Sequence, residues 1–406
     1  MASGSAAEGS GEESGRARRP GSVALIMLCQ SMQSLAYGGL ALFLPLVRRD
    51  VGLSFTEAGS LAAASALVYA FMQIPSGYLA DRLGAKRLFL VGLAGTNVLA
   101  FSLAQLHSYV PMVVNQALSG IFRSLVFAPG LLLISALFPP HRRATALGLY
   151  VAGGFTSNIF LNTLGPLLVG PLGWRLLFMA FSGGGMLLLV LYGRLGAAGP
   201  AGSGRLQPSL RASLGLFRLR LMWAVGGIQY VRLAVVTGLN FWLPSLIVVD
   251  KGYPLQVAGL VVALGAAVTA PANFLGGYLS DRLRNPLLVI GTSLAALSAT
   301  TFLLVQVQNL ALLMLVVAVN GIFVQFYFGP LFAFPIQMLG PRSAGVTSGF
   351  GNFFANLGGF TFAYALGAVK DATGSFSGGL YALSLLCLVG VVLTLSLARM
   401  KPLVPA

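Results

Sequence analysis

The chain has 406 residues, 57% of them hydrophobic and 8% charged, with a mean hydropathy of +0.86. That composition cannot clothe a soluble surface and belongs to a membrane protein. The net charge of +16, from 25 Lys and Arg against 9 Asp and Glu, would suit a nucleic-acid partner, but the cations stand at the ends of apolar runs and form no basic face, which argues against one.

Residues 1–20 (MASGSAAEGSGEESGRARRP) are small and polar and read as a disordered cytoplasmic tail. The apolar run that follows, beginning VALIMLCQSMQ, is too long for the h-region of a signal peptide. Apolar runs of about 20 residues, the length a helix needs to cross the hydrocarbon, then recur. They predict twelve spans: 22–47, 57–78, 87–106, 110–138, 143–169, 175–194, 221–249, 256–278, 287–308, 310–338, 343–368 and 376–398. The domain plan is a first bundle at 21–195, a cytoplasmic linker at 196–220 (with GAAGPAGSGRLQPSL), a second bundle at 221–400 and a tail at 401–406. Cys29 and Cys387 fall inside predicted spans, one in each half, so they form neither a disulfide framework nor a metal cluster, and no cofactor is expected.

The two halves repeat each other. SGYLADRLGAKR, from Ser76, is echoed by GGYLSDRLRNP, from Gly276; Ala58-Gly59 aligns with Ala258-Gly259 and Gly120-Ile121-Phe122 with Gly321-Ile322-Phe323. Six helices, a polar loop and six more helices form the plan of a transporter built from two parallel repeats around a central site.

On these residues the chain resembles the major facilitator superfamily, whose signature between the second and third helices is a glycine, a hydrophobic pair, an aspartate, an arginine and further cations. Gly77, Asp81, Arg82, Gly84, Lys86 and Arg87 match it, and Gly277, Asp281 and Arg282 match its weaker second copy. The resemblance covers roughly residues 20–400 and implies an all-α membrane protein of twelve helices in two pseudo-symmetric six-helix bundles. Physically, Gly77 permits close packing, and Asp81 and Asp281 can pair with Arg82, Arg282, Lys86 and Arg87 as a cytoplasmic gate that opens when the halves rock. The alternative is that these charges only mark a cytoplasmic loop.

With the N-terminus inside, eighteen Lys and Arg fall on the cytoplasmic side and only Arg48, Arg49, Arg175, Lys251 and Lys370 outside. Both termini are therefore expected in the cytoplasm of a multi-pass protein of the cell's inner membrane, in contact with the lipid bilayer and monomeric.

No carboxylate lies in the middle of a predicted span, but two arginines do: Arg123 in the fourth and Arg232 in the seventh. Both come out roughly 16–20 Å deep at 1.5 Å per residue, near the midplane. An intramembrane ionisable group is costly and a functional candidate by default. The resemblance implies that spans one, four, seven and ten line a central cavity into which both guanidinium groups look. Two cations without acids call for an anion, and the arginine fork suits a carboxylate or oxyanion. The alternative is that each arginine braces helices. The family often carries a structural arginine on the fourth helix, at the place where this chain has Gln116.

Helical spacing puts further substrate-binding candidates on the same faces: Gln30, Gln33 and Tyr37 on span one, Gln116 with Arg123 on span four, Gln229 and Asn240 with Arg232 on span seven, and Gln325 and Tyr327 on span ten. NIFLNTLG from Asn158 and GFGNFFANLGGF from Gly349 loosely resemble the signature of nitrate and nitrite carriers, although close helix packing is the plainer reading. His107 and His141 sit at predicted loops, so nothing titratable is expected in the cavity and exchange of one anion for another fits better than proton coupling. The expected function is transport, not catalysis: alternating-access movement of a small organic anion, a carboxylate, as in the organic-anion and oxalate-type branches. An inorganic oxyanion carrier (nitrate, nitrite or phosphate) or a drug or sugar exporter are the alternatives.

Overall fold

The computed structural model describes residues 20–138, 143–196, 218–339 and 344–400. The tail through residue 19, the linker at 197–217 and residues 401–406 lie outside the described residues, as do the surroundings of Gly77 and the side chain of Asp81. Thirteen α-helices and no strand occur among the described residues: α1 (Pro20–Val51), α2 (Phe55–Leu83), α3 (Ala85–Leu103), α4 (Tyr109–Ala136), α5 (Arg143–Leu195), α6 (Arg220–Ser245), α7 (Leu255–Ala267), α8 (Thr269–Leu283), α9 (Pro286–Gln306), α10 (Leu310–Phe326), α11 (Phe328–Leu339), α12 (Ala344–Thr373) and α13 (Ser377–Ala398). A π-helical turn, Leu246–Asp250, extends α6. Ten helices among the described residues are long and apolar enough to cross a membrane.

The predicted spans differ from these helices in three places, each with a local cause. Spans five and six run on as α5, which turns at Gly173 (φ 75°, ψ 158°), a conformation that a residue without Cβ adopts cheaply. Span eight is divided between α7 and α8: Pro271 has no N–H for the Ala267 carbonyl, and the Thr269 hydroxyl donates to the Ala266 carbonyl instead (2.7 Å). Span ten is divided at Tyr327 because Pro330 cannot donate to the Phe326 carbonyl. That carbonyl lies so close to Gly276 that a Cβ there would come within 1.7 Å of it, so α8 can approach α10 only as glycine.

In lipid the hydrophobic effect does not drive helices together, so backbone approach at small residues matters more. The repeat makes this explicit. A Cβ on Gly120 in α4 would meet the Ser65 carbonyl of α2 at 2.5 Å, and one on Gly321 in α10 would meet the Gly265 carbonyl of α7 at 2.6 Å. Between the halves, a Cβ on Gly59 of α2 would meet the Ala363 carbonyl of α12 at 2.5 Å, and one on Gly259 of α7 the Asn162 carbonyl of α5 at 2.2 Å. Residues about two hundred apart thus hold equivalent positions, and α2–α12 and α5–α7 form two related seams.

The charged anchors repeat as well. At the end of the bundle where α1 meets α2, Asp50 takes an ion pair from Arg175 at 2.9 Å and a hydrogen bond from Trp174 Nε1 at 3.1 Å. In the second half Asp250 pairs with Lys370 and accepts from the Phe376 backbone N–H at 3.0 Å. Arg175 also donates to the Ala104 and Leu106 carbonyls (2.7 and 2.9 Å), and Lys251 to the Val307 carbonyl (2.5 Å), so in each half cations tie the helix-end loops together.

Candidate functional site

Between the two halves lies a cavity of about 380 Å³ whose walls come mainly from α1, α5, α6, α7 and α10, with single residues from α2, α8 and α9. Its polar lining is neutral. Tyr37, Asn158, Asn162, Thr237, Asn240, Thr269, Asn320 and Gln325 contribute, and no charged residue does. Asn162 Nδ2 donates to the Asn158 carbonyl (2.8 Å), and Asn320 Nδ2 to the Thr300 hydroxyl (2.9 Å), which leaves their amide oxygens to accept. Tyr37, Asn240 and Gln325 are the predicted site residues that reach this cavity.

Arg123 stands beside it. Its guanidinium lies 3.5 Å from the centre of the Tyr37 ring and 5.2 Å from that of Tyr69, and Nη1 donates to the Ser65 hydroxyl at 3.0 Å. Gln33, Tyr37, Gln116 and Arg123 line a smaller pocket of about 20 Å³, and Tyr37 is the wall that it shares with the main cavity. Gln116 Nε2 donates to Asn115 Oδ1 (3.2 Å), which turns this amide toward its own helix.

Arg232 is buried in the second half. Nε donates to Gln229 Oε1 at 2.8 Å, and the Phe328 and Phe332 rings stand 5.0 and 5.9 Å from the guanidinium carbon. Neither this residue nor Gln229 lines the main cavity. Gln30, related to Gln229 by the repeat, accepts from the Tyr150 hydroxyl at 2.8 Å. Tyr327 is fully buried at the break between α10 and α11, and its hydroxyl has no hydrogen-bond partner among the described residues.

Arg123 and Arg232 therefore share one chemistry. Each makes one hydrogen bond to a neutral side chain, each faces aromatic rings, and neither forms an ion pair with a described carboxylate. A guanidinium carries five N–H donors, so most of this capacity is unspent.

At the opposite end of the bundle from Asp50 and Asp250, Lys86 donates to the Gly196 carbonyl (2.6 Å) and lies 5.5 Å from the Tyr192 ring centre. Arg82, Arg87, Asp281 and Arg282 are exposed there, and Arg282 reaches the Tyr278 hydroxyl at 3.4 Å. The Arg175–Asp50 and Lys370–Asp250 pairs lie at the other end.

Sequence reasoning gave Asn158 and Asn162 to helix packing, whereas both line the cavity. The signal was their i, i+4 spacing, which puts both amides on one face of α5. It missed Thr237 and Thr269, which carry no pattern of their own, and Ser65 and Tyr69, which meet Arg123 from another helix.

Comparison with known proteins identifies the fold. A family model described as Major Facilitator Superfamily matches residues 26–363. The D-galactonate transporter of Escherichia coli O6:H1 is 23% identical over 386 residues, covering 85% of this chain and 87% of that one. The nitrite extrusion protein of Bacillus subtilis is 24% identical, covering 85% and 86%. The hexuronate transporter of Bacillus subtilis is 21% identical, covering 88% and 89%. Among solved structures, a bacterial homologue of the human lysosomal transporter Spinster, inward-facing and occupied, superposes with a TM-score of 0.84 at 17% identity over 96% of this chain and 99% of that one. A duplicated all-helical bundle, a cavity between its halves and a family match over most of its length make this chain a membrane transporter of the major facilitator superfamily.

Proposed function

We propose that the chain carries a small organic anion, a carboxylate, by alternating access, and that Arg123 and Arg232 supply its positive counter-charge. The observation that carries this reading is the pair of guanidinium groups deep in the bundle without a carboxylate partner among the described residues. Holding such cations away from water is costly, and a bound carboxylate offsets that cost through two parallel N–H···O bonds. Tyr37 links Arg123 to the main cavity, where the side-chain amides of Asn240 and Gln325 make no hydrogen bond to another described residue and can serve a ligand. Gln229 accepts from Arg232 and positions its guanidinium, Gln33 and Gln116 line the small pocket with Arg123, and Gln30, through Tyr150, and Tyr327, at the break between α10 and α11, belong to the surrounding helices. Two relatives are named for organic acids, D-galactonate and hexuronate.

A bundle that holds two guanidinium groups near an empty cavity resists closing more than one whose cavity is loaded with an anion, which favours exchange of one anion for another. The excess of loop cations on one side supports both termini in the cytoplasm, and the bacterial relatives support the inner membrane. Gly77, Asp81, Arg82, Lys86, Arg87, Asp281 and Arg282 then form the gate on the cytoplasmic side.

A second reading, an inorganic oxyanion carrier, draws on Asn158 and Asn162 in the cavity wall and on the relative named as a nitrite extrusion protein. Proteoliposomes separate the two. Counterflow of labelled galactonate or another carboxylate, inhibited poorly by nitrite and nitrate, supports the first reading. Movement of nitrite with no response to carboxylates supports the second, and movement of neither removes both.

A further inference from the structure

Phe55 and Thr56 open α2 in the first half of the molecule, and Asp371 stands near the end of α12 in the second. One carboxylate oxygen of Asp371 accepts the Phe55 backbone N–H at 2.9 Å. The other accepts both the Thr56 backbone N–H and the Thr56 hydroxyl, each at 2.6 Å. The first four N–H groups of a helix have no partner inside it, and its dipole favours an anion at this end. Ser54 and Glu57 satisfy part of the need from within α2, because the Ser54 hydroxyl accepts the Glu57 N–H and the Glu57 carboxylate accepts the Ser54 N–H. Asp371 supplies the rest from the other half.

The seam around this contact is tight. The Phe55 ring meets those of Trp242 and Phe376, with centroids 6.2 and 5.6 Å away, and the Arg48 guanidinium carbon stands 3.8 Å from its centre. Trp242 is held by its own half, through Nε1 to the Ala363 carbonyl at 2.8 Å. A Cβ on Gly367 would come within 2.3 Å of the Phe55 carbonyl. The charged groups around Asp371 are Arg48 of α1, which attracts it, Glu57, already bonded to Ser54, and Lys370, turned to Asp250. The related seam differs: Pro254 stands at the α7 N-cap, and among the described residues no side chain caps that helix.

We propose that Asp371 is the closing residue of this face of the transporter: its carboxylate must leave the α2 N-terminus before the cavity can open between α2 and α12. One seam thus carries a charged cap on a helix N-terminus supplied by the opposite half, and the other brings α7 close to α5 at Gly259. This assignment concerns the moving parts and holds whichever solute is carried.

The test uses the full chain with Ala41→Cys as a reporter, since Ala41 lines the cavity and the native Cys29 and Cys387 are buried. A membrane-impermeant maleimide is applied to right-side-out and to inside-out vesicles, so that labelling through each face is read separately and the assumed orientation is tested too. Asp371→Asn presents an NH₂ group where two donors converge, and it should raise labelling through the α2 N-terminal face on the order of tenfold while lowering it through the other. Thr56→Val keeps the shape and removes the hydroxyl donor alone, and a rise of about threefold is expected. Thr56→Val also keeps the question open to experiment if Asp371→Asn does not fold. Labelling at the parent rate through both faces, in variants that elute as folded protein, overturns the assignment.

Discussion

The Arg123 guanidinium lies 3.5 Å from the centre of the Tyr37 ring, and that ring forms part of the wall of the main cavity. A cation over an aromatic face contributes about 0.5–1 kcal/mol when exposed and about 2 kcal/mol or more when desolvated. Replacing Tyr37 by Leu should therefore weaken binding of the carried anion about threefold to thirtyfold, while Tyr37→Phe, which keeps the ring, should stay close to the parent. Titrations of thermal stability with anion measure both. Equal affinity for Tyr37→Leu and the parent would mean that the ring does not join the cation to the binding site.

The two repeat-related ion pairs should behave differently. Side-chain exposure is 9% for Lys370 and 15% for Asp250, against 24% for Arg175 and 45% for Asp50. Removing one partner of a buried pair strands the other and costs about 3–5 kcal/mol, whereas exposed pairs are worth about 0–1 kcal/mol. Asp250→Asn should lower the melting temperature clearly more than Asp50→Asn, although Asp50 also holds Trp174. Equal losses in a thermal melt would contradict the burial argument.

Glycines within a half and between halves can be told apart. Gly120→Ala and Gly321→Ala press on carbonyls of the same half and should cost about 1–3 kcal/mol of stability without changing which face is accessible. Gly59→Ala and Gly259→Ala press on the opposite half, at Ala363 and Asn162, and should open the face on which α2 and α7 begin. Maleimide labelling of the cavity reads the difference, and parallel behaviour of the two pairs would refute it.

Asp371 sets a pH dependence for the same face. It lies beyond the predicted span 343–368; partial burial pushes its carboxyl up, but the hydrogen bonds from Thr56 and Phe55 outweigh this and hold it below the ordinary carboxylate range. Release from α2 returns it to about 3.9. A group whose value is depressed in the closed arrangement favours that arrangement above its ordinary value, and the preference is lost as pH falls through the depressed one. Labelling through this face should be flat from pH 8 to pH 5 and rise only in stronger acid. A rise near neutrality would point to another group.

Much of the fold was legible in the sequence because apolar runs of membrane length, loop cations and a repeat of about two hundred residues are all local or periodic signals. The breaks at Val268 and Tyr327 were less visible: Pro271 and Pro330 stand inside apolar runs that composition alone reads as continuous. Arg123 and Arg232 were legible as charges in the wrong solvent, but not the rings around them, since Tyr69, Phe328 and Phe332 are set by helix rotation. Asp371 falls between the predicted spans 343–368 and 376–398 and belongs to no motif. Its partners are 315 and 316 positions away, and no spacing rule spans that distance.

The most direct measurement compares the thermal stabilisation by carboxylates, phosphate and nitrate of the parent protein with that of Arg123→Gln and Arg232→Gln. Hydrogen bonds to a charged group contribute about 1.5–3 kcal/mol each, so each change should weaken the best anion, a carboxylate, on the order of tenfold to a hundredfold while the protein remains folded. Full stabilisation by that anion in both variants would make the two arginines helix braces and remove the basis for a negatively charged solute.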